Sequence, residues 1–359
     1  MRKKILLTSK TTILLCYFAI AQTNSVEVEK KLEITGSADV YYKYDFAKIR
    51  QNSLTSFTQT QNQFSLGMAS VKFDYSFGKT KMVADLGFGQ RAKEFTYTDE
   101  GIMQAVKQLY ISYSVTDELK LTVGNWATHV GYELLDPQYN RNYSMSYMFS
   151  NGPFSHTGVK GEYNTGKHGL MLGVANATDY RFMPEDAINK KFLLAQYSYA
   201  PADALKIYLN YAGGQHIDTS KSKQFDLTGT VKISDHFWLG INTTYASVQL
   251  WDTVSHKNFS PKPWWGAALY FNYDPTEWFG LTLRSELFND HNHLKSLGAA
   301  IAGDNILSNT LSANFKKGGF IFIPEIRWDH VNKKALFIDA HKNTTANAVN
   351  VLFAAVYSF

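Results

Sequence analysis

From residue 33 onward the chain is a succession of short segments whose side chains alternate in polarity. The connections between them are alternately very short and long. The segments run over 33–46, 62–77, 81–95, 105–114, 119–126, 155–163, 168–176, 191–199, 204–212, 222–234, 236–249, 264–273, 278–287, 306–316, 319–329 and 347–358. Every second connection is tiny, as in "GKT" at 78–80, "TDE" at 116–118, "NTGK" at 164–167 and "DPTE" at 274–277, and is built of Gly, Pro, Asp and Asn, the hairpin-turn residues. The others are long: 47–61, 96–104, 127–154, 177–190, 213–221, 250–263, 288–305 and 330–346. A soluble sandwich has no reason to sort its loops by length. A barrel spanning the outer membrane does, with short periplasmic turns and longer outer loops. Seven short and eight long connections are what sixteen strands with both termini in the periplasm require. The predicted fold is all-β: a closed transmembrane antiparallel barrel of about sixteen strands.

The faces agree. In "GLTLRSEL" (280–287), Leu281, Leu283 and Leu287 oppose Thr282, Arg284 and Glu286; in "IPEIRWD" (323–329), Ile326 and Trp328 oppose Glu325, Arg327 and Asp329. Small barrels fill their interior with apolar side chains, whereas a barrel of sixteen strands leaves an aqueous channel. A charge facing lipid near the midplane costs roughly 2–4 kcal/mol, so ionic residues belong inside. By parity the lumen receives Asp39, Lys43, Asp45, Lys72, Asp74, Asp85, Arg91, Lys93, Lys206, Asp226, Lys232, Arg284, Glu286, Glu325, Arg327 and Asp329. Both signs are equally represented, so selectivity must come from local clustering.

Residues 1–21 read as a secretory leader: a basic start (Arg2, Lys3, Lys4), an apolar run from Ile13 to Ile20, and small residues before Gln22. Residues 22–359 then form one barrel domain. The only cysteine, Cys16, lies in the leader, which leaves no disulfide frame or thiolate chemistry. Four of the 36 Lys and Arg fall there too, leaving 32 against 31 Asp and Glu. That balance gives no reason to expect a nucleic-acid partner.

The connection 127–154, "…GYELLDPQYNRNYSMSYMFSNGPF", is the third long one and shows no strand pattern across its length. The organisation resembles that of the general porins, in which the third outer loop folds into the lumen. That resemblance implies an inward constriction loop, on which Glu133 and Asp136 supply negative charge and Arg141 positive charge; the parity reading adds Arg91, Arg284 and Arg327 as a basic wall opposite the loop carboxylates, acting across the water of the lumen. One helical turn is expected at 144–149. The same composition also fits a loop lying over the mouth, with these charges simply solvated or paired.

The stretch also resembles the OmpL-like β-barrel porins, through Gly131, Tyr132, Glu133, Asn140, Asn142, Ser144, Pro153, Phe154, His156, Thr157 and Gly158. The motif covers about thirty residues. The "PEFGG" pattern of the general porins is absent, which leaves open how far their pore geometry applies. The resemblance implies an outer-membrane channel passing small hydrophilic solutes, with membrane lipid as its surroundings and no cofactor. A barrel of this size often forms a homotrimer, which no residue here specifies. The last strand, "VNVLFAAVYSF", ends on Phe359 and is similar to the terminal signal of bacterial outer-membrane barrels.

No catalytic spacing accompanies His156, and His291 with His293 lack a third metal ligand. An enzyme is therefore not expected. A plugged barrel serving as adhesin or surface scaffold is the competing reading. It would use aromatic loops such as 250–263, although Trp251, Trp264 and Trp265 equally suit an interfacial belt.

Overall fold

The computed structural model describes residues 30–295, 305–332 and 336–359. The predicted leader lies outside them. Sixteen strands close into one antiparallel barrel. They are β1 (Lys30–Asp45), β2 (Gln63–Phe77), β3 (Thr80–Phe88), β4 (Val106–Ser114), β5 (Leu119–Ala127), β6 (Ser155–Thr165), β7 (His168–Asn176), β8 (Lys191–Ala202), β9 (Leu205–Gln215), β10 (Lys221–Ser234), β11 (Phe237–Gln249), β12 (Lys262–Tyr273), β13 (Phe279–Asn289), β14 (Asn305–Lys317), β15 (Phe320–Val331) and β16 (Asn347–Ser358). Each pairs with its neighbours in sequence, and β16 pairs with β1 to close the ring. At the seam Gly36 and Phe359 exchange both backbone hydrogen bonds, 3.1 and 3.0 Å, so the final aromatic residue is part of the closure.

The short turns are made where the sequence places them. Gly166 and Gly318 sit at φ 54° and 60° with open space around an imagined Cβ, so it is the left-handed backbone that calls for glycine there. The faces follow parity. Leu283, Ile326 and Trp328 are exposed outward, while Thr282, Arg284, Glu286, Glu325, Arg327 and Asp329 are buried inside. Near the short-turn end the rings of Trp278, Phe279, Phe315, Phe322 and Phe353 follow one another at 5.1–6.5 Å. Toward the long-loop end Tyr211, Phe225, Tyr245 and Trp265 are cross-strand neighbours. Two such rows are the aromatic girdles of a lipid-facing band. Among the described residues no helix is long and apolar enough to cross a membrane.

One predicted segment is corrected. The expectation of a strand over 81–95 fails after Phe88, where Gly89 takes φ 123° and the chain forms α1 (Gln90–Phe95). A side chain at Gly89 would strike the Gly67 carbonyl, so the chain leaves the ladder at this close approach. Arg91 therefore belongs to a helix inside the barrel rather than to its wall, and Lys93 is exposed.

Candidate functional site

The segment between β5 and β6 lies against the inner wall from one end of the barrel to the other. It enters at Gly131, whose φ of 98° again suits only glycine and whose N–H donates to Asp226 Oδ1 on β10 at 3.0 Å. Tyr132 stacks on Tyr270 of β12 with centroids 4.1 Å apart. Arg284 Nη1 on β13 donates to Glu133 Oε1 at 2.5 Å and to the Ser144 carbonyl at 2.7 Å. Lys107 Nζ on β4 then bridges Asp136 at 2.6 Å and Asp85 at 3.0 Å. The chain turns at Pro137–Tyr139, and Arg141 makes a bidentate pair (2.7 and 2.5 Å) with Asp274, in the short turn between β12 and β13. The segment thus reaches the short-turn rim of the barrel.

From there it climbs beside β15 in register. Tyr143 N–H donates to Glu325 at 2.9 Å, Arg327 Nη1 donates to the Met145 carbonyl at 2.8 Å, and Tyr147 O–H donates to Asp329 at 2.9 Å. Residues 143, 145 and 147 meet 325, 327 and 329 because both stretches advance two residues per repeat. Only then does a helix form, α2 (Tyr147–Asn151). Ser146 caps it by accepting from Phe149 N–H at 3.0 Å. Glu286 on β13 accepts the Tyr147 and Met148 N–H groups, both at 2.8 Å, which a helix start leaves without partners. The helical turn expected at 144–149 is shifted accordingly, since 143–146 is committed to the wall.

All six residues singled out from the sequence are in this assembly, but not in the predicted arrangement. Arg284 and Arg327 are 0% and 2% exposed and Glu133 is 6% exposed. They do not face one another across water: Arg284 touches Glu133, and Arg327 Nε lies 2.9 Å from Asp329. Arg91 sits 4.7 Å above the Tyr143 ring and 5.1 Å above Phe57, donates to the Leu135 carbonyl at 3.2 Å, and lies 4.0 Å from Asp39. The physical reason is burial. A segment lying against the wall removes water from the wall charges beneath it, and charges without water are held by partners. Trp264, expected in the interfacial belt, is instead buried inside beside Phe288.

The opposite wall is apolar. Trp126, Met171, Ala175, Phe192, Leu194 and Ala212 cluster with Val130 of the segment. A cavity of about 450 Å³ opens among the long loops, lined by Tyr97, Asp179, His216, Gln224 and Lys295. A second, of about 330 Å³, lies toward the short-turn end between Lys72, Lys107, Gln108 and Asp136. At the outer mouth Asp179 gathers three connections, accepting from Tyr97 O–H at 3.0 Å, Phe154 N–H at 2.7 Å and Ser155 N–H at 2.8 Å. Among the described residues no three His, Cys, Asp or Glu side chains form a metal-holding group.

A sequence-family model described as "Putative beta-barrel porin-2, OmpL-like" matches residues 31–359. The chain belongs to this OmpL-like porin family. No curated protein matches the porin in sequence. Among solved structures it is similar to the outer membrane channel DcaP of Acinetobacter baumannii (TM-score 0.60, 10% identity, 92% of this chain and 97% of that one). It is also similar to an anion-selective porin from Comamonas acidovorans (0.59, 9%, 92% and 100%) and to OmpT of Vibrio cholerae (0.57, 14%, 92% and 98%). At these identities the likeness is one of fold. Family and fold together make the chain an outer-membrane porin.

Proposed function

We propose that the porin passes small hydrophilic solutes by passive diffusion, and that residues 127–154 form the constriction that sets their size. The observation that carries this reading is the run of contacts from Gly131 to Tyr147, which holds the segment on strands β4, β10, β13 and β15 and on the Asp274 turn. A loop over the mouth would have no use for partners at the short-turn rim. Cavities on either side of the segment fit a vestibule above and an exit chamber below. Glu133, Asp136, Arg141, Arg91, Arg284 and Arg327 then act by fixing the segment on the wall, and hydrogen-bonding groups such as Gln108, Gln138 and Gln224 meet the solute. No step breaks a covalent bond, so no cofactor is called for. A trimer is the assembly we propose, as one of the similar OmpT structures is described as a trimer form.

Conductance of the purified porin in planar bilayers tests this reading. Step-like openings are the expected result. A folded, heat-modifiable barrel that stays silent would favour the adhesin or scaffold reading, which the inaccessibility of Arg284 and Arg327 otherwise supports.

A further inference from the structure

On the lipid-facing surface of β8–β12 three consecutive rows of side chains can be read from the pairing register. The lowest is apolar: Ala195, Tyr211, Phe225, Tyr245 and Trp265. The next holds Leu193, Gly213, Lys223 and Ser247. The third holds Gln215, Lys221 and Gln249, with Lys191 beginning β8 beside them. A groove of about 530 Å³ runs through these rows, lined by Lys191, Leu193, Tyr211, Gly213, Lys221 and Lys223.

Its height in the membrane follows from β10. Outward positions from Ile233 to Phe225 span eight residues of apolar wall. At ~3.3 Å per residue and a tilt of ~40°, that is a rise of about 20 Å, close to the ~25 Å of an outward apolar band. Lys223 and Lys221 follow directly, at the level of the outer-leaflet head groups. No acidic partner is found for Lys191, Lys221 or Lys223 among the described residues. Lys191 donates only to the Ile188 carbonyl. The nearby carboxylates are engaged elsewhere: Asp218 lines the cavity inside the mouth, and Asp252 accepts from Ser255.

We infer that this groove binds the phosphorylated head group of an outer-leaflet glycolipid. Lysines two residues apart on one strand, with a third two strands away, place three ammonium groups around one phosphate ester. Tyr211 adds a donor, because its hydroxyl folds up over Gly213, 2.3 Å from where a Cβ would stand. Leu193, 61% exposed, and Phe225, 54% exposed, continue the groove downward as an apolar floor for an acyl chain. A free phosphate would gain nothing from that floor, which is why the lipid is the occupant. Membrane anions add attraction of this kind for each basic residue near the surface.

The test uses the full porin folded in detergent and diphosphorylated lipid A as the probe, with retained lipid read by native mass spectrometry. The expected result is that K191Q/K221Q/K223Q lowers apparent lipid A affinity at least ten-fold. Tyr211→Phe should lower it by a few-fold. The same number of lysines neutralised at the short-turn end, Lys79, Lys167 and Lys317, should leave it unchanged. Heat-modifiable gel mobility reports folding, and if the triple variant does not fold, Lys223→Gln and Tyr211→Phe carry the test in the same direction. Equal lipid binding by the groove and control variants overturns the proposal. So does competition by inorganic phosphate at the concentrations at which lipid A binds, which would make the site one for free anions. A change of oligomeric state with unchanged lipid binding would assign the face to a subunit contact instead.

Discussion

The Arg284 guanidinium and the Glu133 carboxylate meet at 2.5 Å in a place neither shares with solvent. One belongs to the barrel wall and the other to the chain inside it, so this contact joins the two bodies of the molecule.

Removing one partner leaves the other charged and dry. Glu133→Gln should cost about 3–5 kcal/mol, the size found for broken buried pairs. Replacing both residues with apolar ones of similar volume should cost far less. Thermal or urea unfolding of the single and double variants checks this, and equal losses in both would mean that the pair does not couple segment to wall.

Arg141 with Asp274 gives the contrasting case. The pair is bidentate but partly wet, its side chains 31% and 17% exposed. Asp274→Asn should cost only about 1 kcal/mol or less. A loss as large as that of Glu133→Gln would show that the rim contact is more deeply shielded than its geometry indicates.

Deleting residues 134–148 takes away the chain that covers Arg284, Glu286, Glu325 and Arg327 and returns them to water. Every ladder hydrogen bond of the barrel remains. Single-channel conductance should rise several-fold while the folded barrel still shifts on heating in gels. Unchanged conductance would reject the segment as the constriction.

Gly131→Ala isolates backbone strain, since nothing lies within 4 Å of the added methyl group while φ stays at 98°. A loss of about 1–2 kcal/mol is expected from the left-handed penalty alone. Its signature is noisier conductance from a less firmly seated segment, and wild-type stability in this variant would refute it.

Burial pushes the Asp179 carboxyl up to about 6, outweighing the hydrogen bonds from Ser155, Phe154 and Tyr97 that favour its ionised form. A folded-state value above the ordinary 3.8 means that its contribution is fully present below about 3.8 and is lost as pH rises through about 6. Protection factors of the Phe154 and Ser155 amides, corrected for intrinsic exchange, should therefore fall across that window. In Asp179→Asn they should stay level.

The barrel was legible in the sequence because its two signals are local. Side-chain parity follows from the strand, and turn chemistry follows from Gly, Pro and Asn. The strand boundaries failed mainly at Gly89, where the reason lies in Gly67 of the neighbouring strand and so in no local pattern. Within the barrel the inward placement of Arg284 and Arg327 was legible from parity, and their partners were not. Glu286 and Asp329 looked like wall charges facing water, because nothing local shows that a distant segment will cover them. Lys107 was missed altogether. One signal was available: "YSMSY" at 143–147 alternates large and small residues as a strand does, and it runs in register with β15. Its serines disguised it as loop.

That stretch ascends beside β15 without entering its ladder. The backbone of β15 is already engaged by β14 and β16, and the inner chain is gripped by side chains instead. The backbone hydrogen bonds that close the wall accordingly owe nothing to the inner chain, which is joined to β15 through side chains on one partner or the other. A cell-surface wall made this way tolerates redesign of its filling without renegotiating the wall itself.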